Sequence, residues 1–185
     1  MKFSIIKKIG FVVLILATLT TCERDDICPE DVPTTPRLII EFYDVSNQET
    51  LKNVSNLFIQ GIGNELPLTD YSGSTTVNSV ELPLKTDENS TSFRFISDYE
   101  LVDDNDTPND TSDDIFNGNE DIITINYITE NVYVSRACGY KTIYKTVSIQ
   151  FGAEDISERW IVLAQPLNDN QSIEDETTTH FNFFH

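Results

Sequence analysis

The chain is poor in basic residues, histidine, tryptophan and cysteine, and each shortage excludes something. Twelve Lys and Arg stand against 31 Asp and Glu in 185 residues, a formal net charge of −19. Three of the twelve, Lys2, Lys7 and Lys8, fall in the first 21 residues, so residues 22–185 hold 9 basic and 31 acidic groups, or −22. A body this acidic is repelled by phosphate backbones, which excludes nucleic acid as a partner. It equally excludes adsorption on an anionic lipid surface through basic residues. The two histidines, His180 and His185, lie in the last six residues, so a serine or cysteine triad has no well-placed base. There is no G-x-S-x-G elbow, no H-E-x-x-H, no P-loop and no dinucleotide fingerprint. A carboxylate-pair glycoside hydrolase needs only Asp and Glu, so composition leaves that class open. Its clefts are usually lined by several tryptophans, and here Trp160 stands alone. The sequence thus points away from an enzyme.

No apolar run is long enough to stay in a bilayer. Ile9–Leu19 is an 11-residue, mostly apolar segment behind Lys2, Lys7 and Lys8, whereas a spanning helix needs about 20 apolar residues. Residues 1–21 therefore read as an export signal. It ends in Leu19-Thr20-Thr21-Cys22, which resembles a bacterial lipobox; Thr21 departs from the usual Gly, Ala or Ser. That resemblance implies diacylation of Cys22 and cleavage before it, with the acyl chains anchoring the chain in a membrane. The alternative is an ordinary secretory signal with a chance cysteine at its end. Glu23-Arg24-Asp25-Asp26 resembles the tag that sends Bacteroidota lipoproteins to the outer face of the outer membrane; the alternative is a plain acidic linker.

With Cys22 lipidated, Cys28 and Cys138 remain as an even pair in an oxidising compartment. No CxxC or Cys/His cluster supports a metal site. A Cys28–Cys138 disulfide is expected, the alternative being two buried free thiols. Residues 22–36, with Pro29, Pro33 and Pro36, form a lipidated tether that the disulfide would shorten to about six residues, or ~20 Å.

Hydrophobic residues make up 39%, including 11 Phe and 7 Tyr, enough for a real core. Residues 37–185 are read as one domain. Short runs rich in β-branched and aromatic residues recur between Asn/Asp/Gly/Ser clusters, which predicts an all-β fold. The expected strands are Leu38–Tyr43, Val54–Gly61, Val80–Leu84 (an edge strand because of Pro83), Phe93–Phe95, Ile123–Tyr127, Val132–Arg136, Val147–Phe151 and a buried Trp160–Leu163. Thr129-Glu130-Asn131 is expected to turn a hairpin, and Ala153–Arg159 is a weak helical segment of at most two turns. About eight short strands at this spacing suggest an antiparallel two-sheet β-sandwich with one long acidic loop. Phe181 and Phe183 in the last residues predict a docked terminal strand.

The acidic insertion, residues 101–121, carries Asp103, Asp104, Asp106, Asp110, Asp113 and Asp114. These carboxylates could supply oxygen ligands for calcium, as in an adhesin-like module. An EF-hand register from Asp103 fails at Pro108 and Asp114, and a solvated insertion is the alternative. His180 and His185, five apart, would face opposite sides of a regular strand, which disfavours a metal pair. Arg37 and Arg136 stand out among few cations. An ion pair with Glu41 or a neighbouring acid is one reading of them, and capture of an anionic partner group is the other.

Cys28-Pro29, the stretch Pro33-Thr34-Thr35-Pro36-Arg37-Leu38 through Asp44, Ser135-Arg136-Ala137-Cys138-Gly139-Tyr140-Lys141 and the terminal His180–His185 together resemble a domain-of-unknown-function family of short Bacteroidota outer-membrane lipoproteins. That resemblance carries no activity across. It implies a lipid-anchored cell-envelope protein, non-catalytic, binding or assembling with an envelope protein or glycan, and it singles out Cys28 and Cys138 together.

Overall fold

A computed structural model describes residues 27–29, 32, 34–102, 115–153 and 155–185. Ten strands follow in chain order: β1 (Leu38–Asp44), β2 (Asn47–Leu51), β3 (Val54–Gly61), β4 (Ser72–Val77), β5 (Ser79–Leu82), β6 (Ser90–Val102), β7 (Ile115–Ser135), β8 (Gly139–Phe151), β9 (Leu163–Pro166) and β10 (Phe181–Phe184). No helix occurs among the described residues. The described chain falls into two compact units. The larger is Pro33–Val132 with Thr142–His185; the smaller joins the residues up to Val32 with Tyr133–Lys141.

The larger unit is a β-sandwich. One sheet has the order β2-β1-β10-β9 with β5 also on β1, and the other runs β4-β3-β6-β7-β8. Period-two alternation builds both. Leu38, Ile40 and Phe42 on β1 are fully buried, as are Leu57 and Ile59 on β3, Phe95 on β6, and Ile123 and Ile125 on β7. These side chains meet in one core. Phe183 bridges its layers, with ring centroids 6.1 Å from Phe42 and 6.4 Å from Phe95.

Several elements depart from the sequence reading. The first sheet is mixed rather than wholly antiparallel, because β10 pairs with β1 in parallel, Ile40 opposite Phe181 and Phe42 opposite Phe183. β10 is therefore a central strand, covered on its other edge by antiparallel β9. It buries Phe184 as well as Phe181 and Phe183. Thr129-Glu130-Asn131 does not turn: β7 runs unbroken to Ser135. None of those three residues is a glycine to supply a positive φ. The turn comes at Arg136–Cys138, where Gly139 adopts φ +71°. Trp160–Leu163 is not a buried strand either. Only Ile161 is fully buried, its N–H donating to Asp121 Oδ2 at 2.7 Å, while β9 begins at Leu163. The expected helix is a turn, Glu158 N–H to the Asp155 carbonyl at 2.9 Å. β2 and β4 went unpredicted; β2 is exposed throughout and offers no alternation to read.

Pairing between β6 and β7 also reaches into the expected insertion. Leu101 lies opposite Phe116 and Val102 opposite Ile115. A bulge between Ser97 and Glu100 is made by Asp98 at φ +51° facing Gly118 at φ +135°. A Cβ on Gly118 would come 2.7 Å from the Ser97 carbonyl oxygen, so only glycine fits. Asp121, at the end of that expected insertion, is fully buried on β7.

Candidate functional site

Cys28 and Cys138 form a disulfide with Cα atoms 4.8 Å apart across a sequence separation of 110. Cys138 sits in the turn between β7 and β8, and Ser135 Oγ accepts the Cys138 N–H at 3.0 Å. Around that turn Tyr133 and Tyr140 pack edge to face, with centroids 5.5 Å apart. They remain 58% and 70% exposed, and Ile27, next to Cys28, is 76% exposed. Arg136 is at the turn itself, exposed and with no ion pair among the described residues. Tyr133–Lys141 contains two cations, Arg136 and Lys141, and no acid. The cysteines and Arg136 are legible in the sequence, whereas Tyr133 reads only as part of the strand Val132–Arg136 and Tyr140 only as part of the block Ser135–Lys141.

Arg37 is arranged differently. Its Nε donates to Glu176 Oε1 at 2.9 Å and its Nη2 to Oε2 at 2.7 Å, a two-pronged grip. Its backbone N–H donates to the same carboxylate at 2.7 Å, and Nη1 lies 2.5 Å from Glu81 Oε2. The Glu176 hydrogen bond holds the Arg37 guanidinium above its already high pKa and the Glu176 carboxyl below its usual range. Glu41 takes no part; its Oε2 accepts from the Tyr43 hydroxyl at 3.0 Å. Arg37 ties the start of β1 to β5 and to the segment ahead of β10, which leaves its donors engaged by two carboxylates.

His180 is fixed at both nitrogens. Nδ1 accepts the Ile39 N–H at 2.9 Å, and Nε2 lies 3.0 Å from the Asp175 carbonyl, to which it donates. Those neighbours assign a neutral imidazole, and burial pushes the His180 pKa down. His185 ends the chain against Trp160 and Phe42, and burial lowers its pKa too. Neither histidine joins a group of three or more His, Cys, Asp or Glu able to hold a metal among the described residues.

Two surface clefts lie on the larger unit. One, of about 340 Å³, is lined by residues 61–64, 83–85 and 91–93 with Leu68, and contains no carboxylate. Two of its lining residues are held from the core: the Tyr127 and Tyr144 hydroxyls donate to the Lys85 and Leu84 carbonyls at 2.9 and 3.0 Å. Burial raises the Tyr144 pKa to about 12, so that donor stays protonated. The second cleft, of about 280 Å³, includes Glu174, Asp175 and His180. Glu174 pairs with Lys145, and Asp175 Oδ1 accepts from Thr177 N–H and Oγ1. On the second sheet Phe58, Tyr99 and Phe116 form a stacked ladder, with centroids 4.6 and 6.1 Å apart and Phe116 42% exposed. Cys22 and Asp103, Asp104, Asp106, Asp110, Asp113 and Asp114 lie outside the described residues.

No curated protein and no solved structure matches the chain significantly. One family does match, over residues 56–185, a span that takes in Arg136, Cys138 and the terminal strand and leaves Cys28 and Arg37 outside it. The chain thus belongs to a family of unknown function, DUF6452.

Proposed function

We propose that this chain is a non-catalytic lipoprotein of the cell envelope, held in the outer membrane of a Bacteroidota-type bacterium by acylated Cys22 and acting there as a binding or assembly module. The observation that carries this reading is the pairing of a lipobox-like Leu19-Thr20-Thr21-Cys22 with a disulfide at Cys28, only six residues on. A disulfide suits an exported chain. A non-catalytic role is supported by how the reactive groups are used. His180 has both nitrogens bonded, Arg37 grips two carboxylates, and the cleft of about 340 Å³ holds no acid or base pair. The aromatic ladder, exposed at Phe116, is a surface for meeting an envelope protein or glycan. Nothing among the described residues favours the hydrolase or calcium-stabilised adhesin readings over it.

Intact-mass and N-terminal analysis of the chain purified from membranes tests the anchor. The expected product begins at Cys22 and carries a diacylglyceryl group. An unmodified Cys22, or a start elsewhere, rejects the reading. Crosslinking in intact outer membranes tests the assembly role, which fails if the protein is recovered alone from every fraction.

A further inference from the structure

The smaller unit has an unusual surface for so acidic a chain. Ile27, Tyr133 and Tyr140 are 76%, 58% and 70% exposed, and the only charges in Tyr133–Lys141 are positive. Exposed apolar side chains gathered with cations normally meet a partner rather than water. Covalent bonds restrict what that partner can be. The Cys28–Cys138 link holds the two Cα atoms 4.8 Å apart. Six residues from Cys22 to Cys28 span at most about 20 Å. The turn at Cys138 therefore stays within about 25 Å of Cys22 whatever path the tether takes. If Cys22 is buried in lipid, the turn reaches no further from the membrane than roughly the thickness of one leaflet.

From this we infer that the β7–β8 turn is a membrane-facing foot: Ile27, Tyr133 and Tyr140 enter the headgroup region of the phospholipid leaflet that holds Cys22, with Arg136 against lipid phosphates. The inference rests on the lipid-anchor reading above. Tyrosine suits this depth because its ring is apolar and its hydroxyl stays wet. Arg places its stem along the apolar layer and its charge at the phosphates. The overall negative charge opposes broad adsorption, so contact is confined to this turn. The rest of the chain is strongly acidic and is repelled from anionic headgroups.

Hydroxyl-radical footprinting of the natural, acylated chain on phosphatidylethanolamine/phosphatidylglycerol vesicles tests this, with the non-acylated Cys22→Ser chain in buffer as reference. Oxidation of Tyr133 and Tyr140 is expected to slow by about three-fold or more on vesicles, as for rings at headgroup depth, while Tyr99 is unchanged. Equal rates for Tyr133 and Tyr140 in both samples, with the chain floating with the vesicles, overturn the foot and leave the anchor standing. A purified chain that fails to float overturns the anchor and the foot with it. Protection that vanishes on dilution to about one chain per vesicle marks contact between copies of the chain and also overturns the proposal. Tyr133→Ser/Tyr140→Ser, still acylated, should float normally yet be released from vesicles faster than the parent; unchanged release counts against the foot.

Discussion

At the scale of single residues, the polar groups of this protein are mostly engaged in holding strands together. His180 is the clearest case, since its neutral ring accepts from one strand and donates to the segment leading into another. Burial lowers the pKa of both histidines below 6.5. A folded-state pKa below the unfolded value means the unfolded chain takes up protons first as pH falls. The stability these rings contribute is complete above about pH 6.5 and is lost as pH drops below it. Glu176, also lowered, adds its own loss only below about pH 4.5. Melting temperature should therefore fall between pH 7 and 5. His180→Gln, whose amide oxygen can still accept from Ile39, should make that slope shallower, with His185 supplying the remainder. A slope identical to that of the parent would show that His180 does not titrate on unfolding. Thermal melts at fixed ionic strength measure it.

At the scale of elements, β10 decides the first sheet. Four residues insert between β1 and β9 and bury three phenylalanines. Phe183 lies between Phe42 and Phe95. Phe183→Ala removes a ring from a closed core and should cost about 3–5 kcal/mol, read as a lowered midpoint in urea. Phe116→Ala, on the exposed ladder, should cost much less, and similar losses at the two positions would contradict the assigned burial. The strands legible in the sequence were those with alternation and a buried face: β1, β3, β5, the Phe93–Phe95 part of β6 and the apolar half of β7. β2 and β4 lack that signal because neither carries a fully buried side chain. The β7–β8 turn was misplaced because β7 continues past its buried stretch into exposed residues, where hydrophobic alternation stops reporting on the backbone.

At the scale of the whole molecule, the disulfide is the one covalent bond between distant parts of the chain. It closes a separation of 110 residues, and removing it with Cys28→Ser/Cys138→Ser should lower stability by about 2–5 kcal/mol in a denaturant titration. An unchanged midpoint would mean the crosslink does not constrain the unfolded chain. The same bond limits how far Cys22 can lie from the β7–β8 turn, which turns a stabilising device into a positional one. Charge has the same double character. The −22 of residues 22–185 opposes phosphate as a global property, yet Tyr133–Lys141 is locally positive.

The sequence by itself determined the all-β class, the alternating core positions, the paired cysteines and the acidity, because each depends on residue type and short-range spacing. The tertiary structure decided the parallel seat of β10, the engagement of Arg37 by Glu81 and Glu176, the burial of Asp121, and the gathering of Ile27, Tyr133, Tyr140 and Arg136 around one disulfide. Those features join residues from about 40 to about 140 positions apart. No local pattern encodes such pairings, since they exist only once the chain has closed on itself and chosen which faces to bury.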